Sequence, residues 1–516
     1  MKFETDKLYG RDRHLCALMD AYKQVSHPDE KSMMVLISGY SGAGKSALVQ
    51  KFKQSIFTGK TNFFYGKFDQ VEQMEPLSAI VTAFTEFCNN LTANDNEDLR
   101  TTKIRIKEAI GSEIGALENL IPILREITGA PNEDIAKASG TKAHNRLKYA
   151  FRLFTRAIAS PTQPLVLCLD DLQWVDLASI ELITSLITDT QNNSLLLIGL
   201  FRQNEVTAHH PLSLQLASIE SKVTIKKINV SNLSKVDVNE LVSDTLKMPT
   251  CLTHSLADVI YRKTSGNALS VLQLMRSLYD EGIFRFSFES KCWQWDMESI
   301  GLKEISEDTV EFMSRKVLSF NGEAQSVLKI AACLGSLSEE VIESLIVIKN
   351  VEKENIRSTE CFNACRNHRN LLKWLDFFVN EGLIDHTISG YSFAHDQIKL
   401  AVYCLIPEKE RGLWHLQLGI HLCVNAEKIT PSENIFFLAV GQLNRGALFV
   451  TDKHQKMEMA NLNVRAGKKA ISLGVYPLAT TFLEAGINLL DENSWEEIYD
   501  ITLNIYVLYV ETCYCN

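Results

Sequence analysis

The feature that most constrains this chain of 516 residues is a short stretch near its start, residues 33–46. Its first part is an unbroken apolar run rich in Val, Ile and Leu with no helical period, which is typical of a strand buried on both faces. A glycine-rich segment follows, and residues 47–52 continue as a helix. The sequence therefore predicts a strand, a tight loop and a helix in direct succession.

The loop has the spacing Gly-x4-Gly-Lys-Ser, and this spacing suits a polyphosphate. Glycines let the backbone wrap the phosphates with its N–H groups pointing inward, and the following helix N-terminus adds positive potential. We expect Lys45 to reach the β- and γ-phosphates and Ser46 to give Mg²⁺ a hydroxyl ligand. The alternative is a glycine-rich turn that joins a strand to a helix by chance. The candidate nucleotide-binding residues in this loop are Gly39, Tyr40, Ser41, Gly42, Ala43, Gly44, Lys45, Ser46 and Ala47.

Length and composition limit the class of protein. A chain this long exceeds one hydrophobic core, so three or four domains are expected. The net charge of −10 disfavours nucleic acid as the main partner. No apolar run approaches membrane-spanning length, and the charged N-terminus does not resemble a secretory signal, so no membrane partner is expected. Twelve cysteines, mostly in apolar surroundings, favour a reducing, cytoplasmic location.

Further apolar segments after the loop alternate with helical patterns. Strands separated by helices indicate a parallel sheet, and ligands lie at the carboxyl ends of such strands. Gly39, Asp170 and Arg202 each fall at a predicted strand end, so we expect them at one edge of the sheet. The additional predicted strands cover residues 62–68, 165–169, 194–200 and 223–230.

The rest of the chain divides into predicted domains of a different character. Residues 1–230 form the predicted α/β P-loop NTPase core, a parallel sheet flanked by helices. Residues 231–300 read as a helical lid plus a hairpin, and residues 301–400 as a winged-helix-like domain with a short β-wing. Residues 401–516 are helical and tetratricopeptide-like, although a plain helical bundle fits equally because one repeat is legible. On the tetratricopeptide-like interpretation, the region is a solenoid that stops short or continues beyond residue 516.

Two adjacent carboxylates complete the predicted chemistry. Asp170 follows four apolar strand residues and would hold the Mg²⁺ shell opposite Ser46. Asp171 would orient or deprotonate the attacking water, whereas the alternative for this pair is a helix cap. Arg202 would sense or stabilise the γ-phosphate, and the alternative is a structural ion pair with Asp171 or Glu205. The catalytic candidates are thus Lys45, Asp171 and Arg202, and the metal candidates are Ser46 and Asp170.

Several motifs together resemble the origin-recognition-like AAA ATPase domain that occurs in the STAND class of signal-transducing ATPases, of the multidomain type. The resemblance covers nearly the whole chain and is more specific in its first half. The motifs that carry it are residues 9–11, the loop at 39–46, residues 66–69, 167–176, 201–202, 263–267 and 391–396.

This resemblance implies a switch that ADP holds closed and ATP opens for assembly. It places Gly10 and Arg11 near the adenine, and Gly266 and Asn267 near the nucleotide from the lid, although Ala268 stands where the family often has proline. His395 resembles a histidine that touches the ADP phosphate, but Ala394 replaces the preceding methionine of that motif. A core histidine with satisfied hydrogen bonds therefore remains the alternative.

Our leading hypothesis is an ATP-binding, slowly hydrolysing regulatory ATPase with ATP/ADP and Mg²⁺ as cofactors. Its expected partners are proteins that bind the helical tail, with nucleotide-dependent self-association. One alternative is a DNA-binding initiator-type ATPase that uses the winged helix. Another is a nucleotide-binding scaffold without turnover.

Overall fold

The structure is a computed structural model, and its described residues fall into two compact units. The first comprises Met1–Lys67, Thr155–Val175 and Ile183–Phe312, and the second comprises Phe68–Phe154, Asp176–Leu182 and Met313–Asn516. Within these spans the structure describes residues 7–28, 30–56, 62–68, 77–93, 97–118, 120–129, 141–192, 194–289, 292–302, 309–346, 368–387, 390–426, 433–473 and 475–515.

Short strands and mostly longer helices make up the described parts of the chain. The strands are β1 (Met33–Gly39), β2 (Asn62–Lys67), β3 (Leu165–Asp170), β4 (Leu195–Arg202), β5 (Thr224–Asn229), β6 (Phe284–Ser287), β7 (Cys292–Trp295), β8 (Ser336–Leu337), β9 (Ile384–Thr387) and β10 (Gly390–Phe393). The helices are α1 (Asp12–Val25), α2 (Lys45–Ile56), α3 (Ser78–Ala93), α4 (Glu97–Ile110), α5 (Ile114–Glu118), α6 (Leu124–Thr128), α7 (Thr141–Ile158), α8 (Leu177–Ile187), α9 (Pro211–Ile219), α10 (Lys235–Leu246), α11 (Thr250–Thr264), α12 (Ala268–Asp280), α13 (Met297–Leu302), α14 (Thr309–Leu318), α15 (Gly322–Leu334), α16 (Glu339–Ile346), α17 (His368–Asn380), α18 (Asp396–Cys404), α19 (Glu408–Ala426), α20 (Glu433–Arg445), α21 (Lys453–Ser472), α22 (Tyr476–Ile487), α23 (Ser494–Glu497) and α24 (Tyr499–Cys515).

A five-stranded parallel sheet forms the centre of the first unit, in the order β2-β3-β4-β1-β5. β3 is buried at every position, which explains why its sequence is continuously apolar up to Asp170. β5 lies at one edge and carries Lys226 and Lys227, as exposed edges commonly do. The predicted α/β core, with a parallel sheet and flanking helices, is confirmed. The carboxyl ends of β1, β3 and β4 therefore bring Gly39, Asp170 and Arg202 to the same edge.

The helices that follow the sheet in the first unit have a core of their own. Apolar residues of α10, α11 and α12 pack together with Phe284 of the β6–β7 hairpin and Ile300 of α13. α10 begins with a capping box in which Ser234 and Asp237 bond each other's backbone N–H groups. α11 ends at Ser265 in the left-handed conformation, and Asn267 caps α12. We call α10–α13 with this hairpin the lid.

The second unit is mainly helical. Its short sheet has the antiparallel order β8-β10-β9. Further along, Phe437 of α20 stacks on Phe482 of α22 at 5.6 Å within a shared apolar cluster. A helical C-terminal part is thus confirmed, while the winged-helix-like and tetratricopeptide-like assignments and the four domain boundaries stay predictions. Among the described helices, none combines the length and apolar character that crossing a bilayer requires.

Candidate nucleotide-binding site

The loop between β1 and α2 has the backbone that its glycines allow. Gly44 has φ +96°, a region that residues with a side chain rarely adopt. At Gly39 an added Cβ would lie 2.4 Å from the carbonyl oxygen of Val230, so only glycine permits the close approach to the chain after β5. The Ala43 N–H donates to the Tyr40 carbonyl at 3.3 Å and closes a turn inside the loop. The predicted strand, loop and helix are therefore present in the predicted order.

Lys45 opens α2 and is only 8% exposed. Its ammonium group donates to the Gly39 carbonyl at 3.0 Å and to the Tyr40 carbonyl at 3.1 Å. A buried ammonium group needs such partners because losing water without replacement costs free energy. The Tyr40 side chain itself is 56% exposed. The Lys45 ammonium group thus lies inside the loop, where it could bind the oxygens of a phosphate held there.

Asp170, at the end of β3, accepts hydrogen bonds on both carboxylate oxygens. Its Oδ2 accepts from the Ser46 hydroxyl at 2.8 Å and from the Tyr65 hydroxyl at 2.9 Å. Its Oδ1 accepts from the Asp171 N–H at 2.9 Å. Burial, and then the Asp170 charge, raise the pKa of Tyr65 well above its usual value, so Tyr65 is a hydroxyl donor.

The pair formed by Ser46 and Asp170 fits a magnesium ion. A hydroxyl and a carboxylate are the hard oxygen ligands that Mg²⁺ prefers, and Mg²⁺ commonly takes one or two protein ligands together with water and phosphate oxygens. The 2.8 Å bond joins Ser46 in the first turn of α2 to Asp170 at the end of β3. These residues would therefore hold the ion beside the phosphates.

Asp171 has an unusual backbone and several polar neighbours. Its φ of +56° and ψ of +45° are left-handed, which is uncommon for a residue other than glycine. Gln173 donates its Nε2–H to Asp171 Oδ1 at 2.8 Å. Two cations lie slightly farther away, Lys67 at 3.6 Å and Arg202 at 3.8 Å. The carboxylate is therefore held by an amide and shared between two positive side chains.

Arg202, at the end of β4, makes both structural ion pairs considered from the sequence. Besides Asp171, its Nη1 donates to Glu205 at 2.8 Å, and its guanidinium lies 4.7 Å from the Trp174 ring centroid. Its backbone N–H donates to Gln173 Oε1 at 3.1 Å. Gln173 thus joins the ends of β3 and β4. A role for Arg202 in sensing a phosphate stays a prediction.

Arg11, which immediately precedes α1, hydrogen-bonds to a backbone carbonyl of the loop. It is 4% exposed, and its Nη2 donates to the carbonyls of Ala43 at 2.9 Å and Ser231 at 2.6 Å. Burial lowers the pKa of Arg11, and the Asp237 charge opposes this effect. Gly10 lies against the Asp237 carboxylate, which an added Cβ would approach to 2.5 Å. Gly10 and Arg11 therefore lie where the loop meets the lid, and their place near an adenine stays a prediction.

The start of α12 touches the loop directly. Asn267 donates its Nδ2–H to the Ser41 carbonyl at 2.8 Å, and the Leu269 N–H donates to the Gly42 carbonyl at 3.1 Å. Gly266 accepts from the Leu233 N–H at 2.8 Å, which ties the turn between α11 and α12 to the chain before α10. Of the two lid residues expected from the resemblance, Asn267 thus bonds a loop carbonyl directly, while Gly266 bonds Leu233 just before α10.

His395 belongs to the second unit. There its Nδ1 accepts from the Gln397 N–H at 3.1 Å and caps α18. This contact gives the imidazole a structural role of the kind that the sequence left open as the alternative. Its contact with a nucleotide phosphate stays a prediction.

Sequence reasoning missed two side chains that the structure brings to the site, Tyr65 and Gln173. Tyr65 appeared only as an apolar residue of a strand, and Gln173 only as part of a motif. The hydroxyl of Tyr65 near the end of β2 is the only sequence signal for its role, and that signal gains meaning only once β2 is known to pair with β3. No local pattern marks Gln173, because its two partners come from separate strand ends.

Comparison with known proteins agrees with this geometry. Residues 7–198 match a family model described as "AAA ATPase domain". That part of the chain is therefore an AAA ATPase domain, as its motifs predicted.

The similar curated proteins are much longer than this chain. Hybrid signal transduction histidine kinase G of Dictyostelium discoideum is 27% identical over 98% of this chain and 18% of its own length. Peroxide stress-activated histidine kinase mak3 of Schizosaccharomyces pombe is 21% identical over 91% of this chain and 21% of its own length. The chain spans about a fifth of the length of these relatives. Among solved structures, Cdc6p from Pyrobaculum aerophilum aligns with 78% of this chain and 95% of its own, at 13% identity and a TM-score of 0.35.

Proposed function

We propose that this chain is an ATP-binding, slowly hydrolysing regulatory ATPase of the STAND type, which acts as a nucleotide-dependent signalling switch. The observation that carries the proposal is the joined pair of Ser46 at the start of α2 and Asp170 at the end of β3. If Asp170 holds a metal ion and the loop binds phosphate, this pair brings the two together as nucleoside triphosphate chemistry requires.

Binding of the phosphates would use donors that the loop already presents. Lys45 would exchange its two loop carbonyls for phosphate oxygens, which carry full negative charge and make stronger hydrogen bonds. The Ser41 hydroxyl is buried and has no hydrogen-bond partner among the described residues. A phosphate oxygen supplies the acceptor that this hydroxyl lacks.

Hydrolysis would require Asp171 to act on a water molecule while Lys45 and Arg202 stabilise charge on the γ-phosphate. A magnesium ion held through Ser46 and Asp170 supplies neutralisation of the phosphate charge. Asp171 is shared between Lys67, Arg202 and Gln173, so its carboxylate is a restrained base. Slow turnover would follow, because these partners compete with a water molecule for the carboxylate oxygens.

Coupling to conformation would pass through the lid. A ligand shifts an equilibrium only by as much as its affinity for the two states differs. Through the bonds from Asn267 and Leu269 to the loop carbonyls, a change in the loop on phosphate binding would reach the lid. ADP and ATP would then favour different lid positions if, as proposed, only the γ-phosphate of ATP engages Arg202.

A signalling role draws on the relatives, whose names describe signal transduction and stress-activated histidine kinases. The proposal includes protein partners that bind the helical region at residues 401–516, and self-association that depends on the nucleotide. Exposed apolar side chains of α24 offer contacts for such partners, among them Val507 and Val510 at 56% and 65% exposure.

An asparagine-to-aspartate exchange at Asn267 tests the coupling. Asn267→Asp keeps the oxygen that accepts from the Ser270 N–H and caps α12, but it replaces the amide that donates to the Ser41 carbonyl. We expect the variant still to bind nucleotide. Its conformation with ADP and with a non-hydrolysable ATP analogue should become nearly the same. Limited proteolysis and the size distribution in solution measure the difference between these two states.

Asn239→Asp is the matched control. Asn239 also belongs to the lid, and its side chain donates to the Thr250 carbonyl at 3.0 Å and accepts from the Thr253 hydroxyl at 2.7 Å, both within the lid. The control should behave like wild type. Identical proteolysis and size profiles for ADP and the ATP analogue in the wild-type chain would contradict the switch itself.

A further inference from the structure

We propose that the Tyr65 hydroxyl is a positioning group for the metal-holding carboxylate of Asp170, so that Tyr65 sets how strongly magnesium strengthens nucleotide binding. This inference rests on the proposed function, because it concerns the same site. It assigns a role to a side chain on β2, a strand that supplies none of the predicted ligands.

The sheet register explains why Tyr65 reaches Asp170. β2 pairs in parallel with β3, with Tyr65 opposite Cys168 and Lys67 opposite Asp170. Opposed residues, and residues two apart on one strand, point to the same face of a sheet. Tyr65 and Asp170 are therefore diagonal neighbours on one face, and the long phenol side chain spans the gap to a bond of 2.9 Å.

Three groups donate hydrogen bonds to the Asp170 carboxylate, and they differ in the other roles of the residues that carry them. A carboxylate offers about four lone-pair positions, and donors from the described residues occupy three of them. Ser46 is itself a metal ligand candidate, so its oxygen would serve two partners at once. The Asp171 N–H belongs to a residue in a strained left-handed conformation. Tyr65 has no other proposed role at the site, and its backbone is held by the regular pairing of β2 with β3.

The Tyr65 ring is anchored as well. It packs against the apolar core under the sheet, beside Phe63. A ring held on a paired strand restricts the position of its hydroxyl, and that hydroxyl in turn restricts rotation of the Asp170 carboxylate. Groups that orient a metal ligand typically change metal affinity by about 10- to 100-fold when removed.

Tyr65→Phe removes the hydroxyl and keeps the ring. The readout is the ADP affinity of the full chain by calorimetry, measured with saturating MgCl₂ and again in EDTA, together with the MgCl₂ midpoint at fixed ADP. We expect the EDTA affinity to match wild type, while the magnesium enhancement falls about tenfold and the midpoint rises accordingly. A role limited to folding would lower both affinities together.

Tyr391→Phe is the matched control. Tyr391 also donates to a carboxylate, that of Asp376 at 3.1 Å, but it lies in the second unit on β10. Its magnesium enhancement should equal that of wild type, and thermal unfolding without nucleotide should show that both variants are folded.

Failure of the Tyr65 positioning role and failure of the proposed function give different binding results. A wild-type chain that binds ADP more tightly with magnesium, and a Tyr65→Phe variant with the same enhancement, would overturn the positioning role alone. A larger enhancement in the variant would also overturn it, since Tyr65 would then compete with the ion. A wild-type chain that binds no nucleotide would overturn the proposed function and this inference with it.

Discussion

Lys45→Ala is expected to abolish nucleotide binding by the full chain, with a loss in ADP affinity of about 100-fold or more. The ammonium group is buried between two loop carbonyls, so it is already placed where phosphate charge would concentrate. Removing it leaves the phosphates without their nearest cation. Calorimetric titration with ADP and MgCl₂ measures the effect.

Lys51→Ala serves as the control for Lys45, because Lys51 lies on the same helix, nearly two turns farther from the loop. This variant should bind ADP like wild type. Unchanged ADP affinity in Lys45→Ala would mean that any nucleotide binds elsewhere, and the loop between β1 and α2 would lose its assigned role.

Asp171→Asn is expected to preserve ADP affinity and to lower the hydrolysis rate by about 100-fold or more, the scale of a lost general base. Asparagine tolerates the left-handed backbone at this position about as well as aspartate does. The amide keeps the size of the side chain but cannot take a proton from water. Steady-state phosphate release, measured beside ADP binding, separates the two effects.

The ion pairs of Asp171 offer a structural alternative to its role as a general base. Lys67 and Arg202 flank Asp171, so the exchange also removes the charge that both cations share. If phosphate release by Asp171→Asn equals that of wild type, Asp171 is only a structural partner of these cations. The role of general base would then be excluded.

Much of the fold and part of the site followed from local sequence. The buried run before Gly39 and the apolar run before Asp170 predict strands because parallel strands covered on both faces are continuously apolar. The glycine spacing predicts a tight loop between a strand and a helix, and the structure has this loop, with Gly44 at φ +96°. The ends of successive parallel strands lie at one edge of a sheet, which predicted that Asp170 and the loop would meet.

The site contacts that the sequence did not predict depend on how distant segments pair in the fold. Tyr65 reaches Asp170 because β2 pairs beside β3 in one particular register, and nothing in either strand alone specifies that register. Gln173 joins β3 and β4 only after both strands have their neighbours. The lid contact of Asn267 with Ser41 links residues 226 positions apart in the chain. Such long-range polar contacts leave no periodic signal.

A single-turnover assay tests nucleotide retention and slow hydrolysis together: the chain is mixed in excess with α-labelled ATP and MgCl₂ and passed through rapid gel filtration. We expect the nucleotide to stay with the protein and to be converted to retained ADP at a rate on the order of 10⁻⁴ to 10⁻² per second, the range of unassisted switch NTPases. No retained nucleotide, or retained ATP that never converts, would contradict it. So would rapid release and repeated turnover.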